Sequence, residues 1–156
     1  MITNSAYSQN RANVWVLGQQ FAIMDCGVDF NSGISDTFAV WKDLEFLVTN
    51  SSICDTSGQL LFYSNGIYIA NKNHDSLKNC KNFNPGFASD NSGDYGLSAP
   101  QGAISIPKPA NSNNYSLFHI SGEELDNGAE TQPLHLRYTE IDMFDDNGLG
   151  SIIIEE

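Results

Sequence analysis

The residues of this 156-residue chain that could do chemistry are three histidines, three cysteines, a serine in a suggestive pentapeptide and a large excess of carboxylates. Gly96-Leu97-Ser98-Ala99-Pro100 comes near the Gly-x-Ser-x-Gly elbow that exposes a nucleophilic serine at a strand-to-helix turn. Pro100 replaces the second glycine, and no strand-to-helix context surrounds it. His74, His119 and His135 could act as a base, but their surroundings read as strand faces and a turn. Asp25 with Asp29, and Glu123 with Glu124, are carboxylate pairs of the kind glycosidases use, yet such chemistry depends on a separation in space that spacing along the chain does not encode. Glu123-Glu124 reads most simply as solvated charge. Binding a carbohydrate asks less of a chain than hydrolysing it. Trp15, Trp41 or Tyr95 could stack on a sugar, although both tryptophans sit in apolar surroundings that read as core.

Two segments concentrate oxygen ligands, residues 90–96 and 142–148. Neither satisfies the Asp-x-Asp/Asn-x-Asp/Asn-Gly spacing of a calcium loop. Alignment on Gly148 puts Met143 at the first ligand position, and alignment on Gly96 puts Asn91 there with Gly93 third. They read as solvated turns, with calcium as the sharper alternative. Cys26, Cys54 and Cys80 show no Cys-x-x-Cys spacing and no zinc-like cluster with histidine. A Cys54–Cys80 bridge and three buried, inert thiols are both compatible with the count. Phosphate loops and dinucleotide fingerprints are absent. No residue earns a catalytic, cofactor-binding or metal-binding role, and no cofactor is expected.

Charge narrows the partners. Nineteen acidic residues face seven basic ones, a net charge of −12, so clustered Lys and Arg for a nucleic acid or an anionic membrane surface are missing. There is no apolar run near the ~20 residues that span a bilayer, and no membrane insertion is expected. Ala6-Tyr7-Ser8 has the small-x-small form of a signal-peptidase site. Residues 1–8 therefore read as the tail of a signal peptide that has lost its start, and residues 9–156 as the mature domain. An ordinary polar terminus is the simpler alternative.

The elements that must position these groups are almost all strands. Val14-Trp15-Val16-Leu17 ends at Gly18, and Val28-Asp29-Phe30 ends at Asn31-Ser32-Gly33. Residues 38–48 mix helical and alternating spacing, and we favour strand. Residues 48–54, the turn Asp55-Thr56-Ser57-Gly58, residues 59–64, Asn65-Gly66 and residues 67–70 predict a three-stranded antiparallel meander. Residues 71–100 form a long polar connection, anchored by Phe83 and Phe87. Strands resume at 103–106, 115–120, 134–143 and 151–154. Leu134, Leu136 and Tyr138 share one face of the third of these. The whole is all-β, in antiparallel meanders. Blades of ~40–50 residues would make this a partial β-propeller of about three blades, fewer than the ~4–8 that close a ring. A β-sandwich is the alternative.

An ordered set of short pieces carries a family resemblance from about Asn13 onward. They are Val14-Trp15-Val16-Leu17-Gly18, Val28-Asp29-Phe30-Asn31-Ser32-Gly33, Ser52-Ile53-Cys54-Asp55 and Leu60-Leu61-Phe62-Tyr63-Ser64-Asn65-Gly66. Asn84-Pro85-Gly86, Pro100-Gln101-Gly102, Ile106-Pro107-Lys108-Pro109, Tyr115-Ser116-Leu117-Phe118-His119 and Ile141-Asp142-Met143 continue the series. With them the chain resembles the propeller-like (WD-repeat-like) N-terminal region of large exported Bacteroidota proteins, which commonly end in a type IX secretion sorting domain. The family often has Asn-Gly where this chain has Asn79-Cys80, so the resemblance implies no family disulfide at Cys80. It also implies a secreted or cell-surface fragment of a larger propeller, without assigned chemistry. The expected function is a non-enzymatic binding or scaffold module for an unknown protein or glycan ligand, joined to the remaining blades of its own full-length chain. The alternative is a propeller-based enzyme, a hydrolase or quinoprotein-like oxidoreductase. A partial propeller expressed alone is expected to self-associate through its open face.

Overall fold

The computed structural model describes residues 9–18, 26–39, 42, 44–109, 111–124 and 131–155. The segment 1–8, Asp25 and Trp41 lie outside the described residues, as does the side chain of Cys26. The chain is all-β and antiparallel, with three principal sheets laid out in chain order. The first holds β1 (Val14–Val16), β2 (Cys26–Asp29) and β3 (Asp36–Ala39). The second holds β4 (Ser51–Cys54), β5 (Leu60–Ser64) and β6 (Ile69–Asn71). The third has the order β12-β11-β8-β7, from β7 (Ala103–Pro107), β8 (Asn114–Ile120), β11 (Leu136–Asp142) and β12 (Ser151–Glu155). A small hairpin, β9 (Glu123–Glu124) with β10 (Thr131–Gln132), interrupts the third sheet.

Turn chemistry sets the second sheet. The Asp55 carboxylate accepts from the backbone N–H groups of Ser57 and Gln59 and from the Ser57 hydroxyl, closing the β4–β5 hairpin. Gly58 takes a φ of 87° there, a conformation open to glycine at little cost. The Asn65-Gly66 turn is wider than a two-residue hairpin. Asn65 Oδ1 accepts from the N–H groups of Ile67 and Tyr68, so both residues stay in the turn and β6 starts at Ile69 rather than at Ile67.

The apolar run of β5 has no polar alternation because both of its faces are covered. Phe62 packs with Ile53, Ile69, Tyr115, Leu117 and Ile141 between the second and third sheets. Its neighbour Tyr63 points the other way, to Val16, Leu44, Phe46 and Ala70. The second sheet is thus a middle layer, which a two-layer sandwich would not have. The three sheets form no closed ring among the described residues.

The first strands of successive sheets lie side by side, β1 against β4 and β4 against β7. Among the described residues no ladder joins them; side chains do, with one backbone bond from Cys54 N–H to the Arg11 carbonyl. Ser52 Oγ accepts from Val16 N–H at 3.2 Å, and Asn50 Nδ2 donates to the Val16 carbonyl at 2.6 Å. The hydroxyls of Ser51 and Ser105 pair at 2.8 Å. Arg11 reaches across to the Tyr115 hydroxyl at 2.7 Å.

The segment 38–48 departs from expectation. Of its described residues, only Phe38 and Ala39 belong to a strand. The N–H groups of Glu45, Leu47 and Thr49 instead donate to the carbonyls of Asp94, Tyr95 and Leu97. The 71–100 connection is consequently ordered: Leu77, Cys80, Phe83, Ala88 and Leu97 are buried, while Phe87 is only half-buried. It also contains a short helix, α1 (Phe87–Asn91). Leu134 and Leu136 are exposed, and the buried run of β11 is Thr139, Glu140 and Ile141.

Candidate functional site

The residues singled out for catalysis do not assemble. Ser98 is exposed on the connection before β7, and His135 is exposed ahead of β11. His119 is 1% exposed on β8, against the Phe83 ring, with Nε2 3.0 Å from Thr139 Oγ1 and no partner for Nδ1 among the described residues. Burial and the nearby Arg137 charge push its pKa down to about 4. His74 hydrogen-bonds the Tyr63 hydroxyl through Nδ1. Burial, with the Lys42 charge, lowers its pKa too, against the opposing effect of Asp75.

The carboxylates serve turns and sheet contacts. Asp29 accepts from Asn31 N–H. Glu123 and Glu124 are successive residues of one strand, so they face opposite sides. Glu123 lies 3.9 Å from Arg137, whose guanidinium also donates to the Pro85 carbonyl. In the 142–148 segment, Asp142 accepts from Phe144 N–H. Asp145 accepts from Ser151, Asp146 N–H and Lys78, which together hold its pKa down at about 2. In the 90–96 segment, the Asp94 carbonyl is taken by Glu45 N–H and Asn65. Among the described residues no three His, Cys, Asp or Glu side chains converge as a metal site would.

Cys54 and Cys80 are buried and form no bridge with each other. Cys54 Sγ accepts from Val14 N–H, and Cys80 Sγ from Ile69 N–H, both at 3.3 Å. Burial raises the Cys54 pKa, keeping the thiol protonated and unreactive.

What the fold does assemble is a groove where the three first strands meet. It measures about 330 Å³ and is lined by Trp15, Leu17, Asn50, Ser51, Ser52, Ala103, Ile104 and Ser105. Trp15 is not the core residue expected of it. Val14 and Val16 turn inward, so the residue between them must turn outward, and its ring is 47% exposed. The Ala12 carbonyl accepts from its indole N–H at 2.9 Å, and Phe30 stacks edge-on at 5.2 Å, so the ring is held in one orientation. Tyr95, also exposed, stands apart from this groove in the turn after α1. A larger concavity of about 950 Å³ runs along the 76–90 connection, where one loop wraps the edge of the second sheet. It brings no exposed aromatic ring to a meeting of elements. Asn50, Ser52, Ile104 and Ser105 were given no binding role from the sequence. The signal available was that the first strands and their flanks, 14–17, 50–54 and 103–106, contain no charged residue.

No family model matches the chain, and neither a curated protein nor a solved structure matches it.

Proposed function

We propose that the chain is a non-enzymatic extracellular or cell-surface binding module, part of a larger propeller-like protein, with the groove between the first strands as its binding surface. One observation carries this reading: three sheets converge on an uncharged groove that holds a fixed, exposed tryptophan. Binding sites favour places where elements meet and where a few polar groups punctuate an apolar wall. Exposed tryptophan is also the side chain that contributes most contact area per torsion fixed.

Export is supported by Ala6-Tyr7-Ser8, by the resemblance and by the acidic composition. Among the described residues no helix is long and apolar enough to cross a membrane.

The test is a nuclear magnetic resonance footprint of the full chain with neutral oligosaccharides, anionic oligosaccharides and short peptides. Shifts gathered at residues 15–17, 50–52 and 103–105 support the reading. A footprint on the 76–90 concavity, or saturable turnover of a glycoside or ester substrate, overturns it.

A further inference from the structure

We infer that the groove takes a neutral pyranose with equatorial hydroxyls, such as a unit of a gluco-configured oligosaccharide, stacked on Trp15. This rests on the groove being the binding surface and deepens that reading by naming the ligand class.

Among the described residues the lining contains no Asp, Glu, Lys, Arg or His, in a protein with 26 acidic and basic residues. A phosphate, a carboxylate or a metal ion would find nothing there to pair its charge. The lining is not purely apolar either, so a hydrocarbon would strand its polar atoms. Those atoms are already anchored, each keeping something in reserve. Asn50 gives one amide N–H to the Val16 carbonyl and retains its other N–H as a donor and Oδ1 as an acceptor. Ser52 Oγ accepts from Val16 N–H and retains its O–H as a donor. Ser51 and Ser105 use one hydroxyl proton between them and retain the other. The reserve is one amide oxygen, one amide N–H and two hydroxyl protons, a pattern suited to sugar hydroxyls, which both donate and accept. Beside it stand the Trp15 ring and Ile104, 59% exposed. A pyranose with equatorial hydroxyls turns a flat face of slightly positive C–H groups to such a ring, whose own face is negative. Because the indole and the amide are held before any ligand arrives, little ordering remains to oppose binding.

The experiment is calorimetric titration of the full chain with cellohexaose and with its carboxylated counterpart, an oligoglucuronate, backed by the resonance footprint. The expected result is binding of cellohexaose at residues 15, 50, 52 and 104, with the oligoglucuronate weaker. Trp15→Ala should weaken binding by about ten-fold, the loss of one aromatic contact, while Trp15→Phe retains most of it. Ile104→Glu, at an exposed position where folding is not at stake, should weaken it as well. Tyr95→Ala should leave it unchanged. Absence of cellohexaose binding, equal binding by Trp15→Ala or Ile104→Glu, or preference for the oligoglucuronate overturns the inference. If a short Leu/Ala peptide footprints the groove and the sugar does not, the groove stands as a binding surface and only the ligand class falls. If neither does, both readings fall.

Discussion

His119 shows how one buried side chain makes the molecule sensitive to acid. In the unfolded chain it titrates near 6.5, and in the folded chain near 4. Between those values the unfolded state binds more protons, so stability is full above about pH 6.5 and drains away as the pH falls toward 4. The loss amounts to roughly 3 kcal/mol, the free energy that separates the two protonation equilibria. Urea midpoints at pH 7 and pH 4.5 should therefore differ strongly in the parent chain and far less in His119→Gln. Asp145 works in a lower window. Its folded pKa of about 2 lies below the ordinary 3.8, so its contribution is present above that value and fades as the pH drops through 2. Asp145→Asn should lower the melting temperature at pH 7 and narrow the gap between pH 7 and pH 3. Gly66 is a residue of a different kind. It has a φ of 90°, and a Cβ there would come within 2.8 Å of Leu97 Cβ. Gly66→Ala should cost about 1–3 kcal/mol in chemical denaturation, the range for a strained backbone.

At the scale of elements, the 71–100 connection is held by rings and aliphatic side chains rather than by regular structure. Phe83, buried against the core of the second and third sheets, is its main anchor. Phe83→Ala should cost about 3–5 kcal/mol and open the connection to limited proteolysis between 76 and 90 while the sheets persist. The same connection marks where reading from sequence stops. The β4–β5 hairpin was legible because Asp55 and Gly58 act on their own immediate backbone, so four residues contain the whole cause. The order of this connection was not, because many of its hydrogen bonds reach residues far along the chain, among them 45–49, Gly122 and Ile152. Helix α1 was missed for a related reason: five residues, preceded by Gly86 and without a side-chain cap, leave no periodic signal. The groove was half legible. Alternation puts Trp15 opposite Val14 and Val16, but which face is buried depends on the second sheet packing against the valines. That contact is tertiary, and composition alone pointed to the wrong side.

For the whole molecule, the outer face of the third sheet matters most. Ile104, Phe118 and Tyr138 lie in register across three strands, with Ile106 exposed beside them and Leu136 74% exposed. Such a face is expected to favour association between copies, against the repulsion of a net charge of −12. Sedimentation at rising salt should show increasing self-association, and Leu136→Lys with Ile106→Lys should suppress it. The succession of sheets along the chain has a kinetic side too. Each sheet is built from one continuous segment, 14–39, 51–71 or 103–155, so pairing within a sheet closes only modest loops. A chain emerging from the ribosome can finish one sheet before the next appears, and dock it by the few Asn and Ser bonds that stitch first strand to first strand. If the sheets form first, those bonds close last, and a slow refolding phase that Asn50→Ala accelerates or abolishes is the expected result.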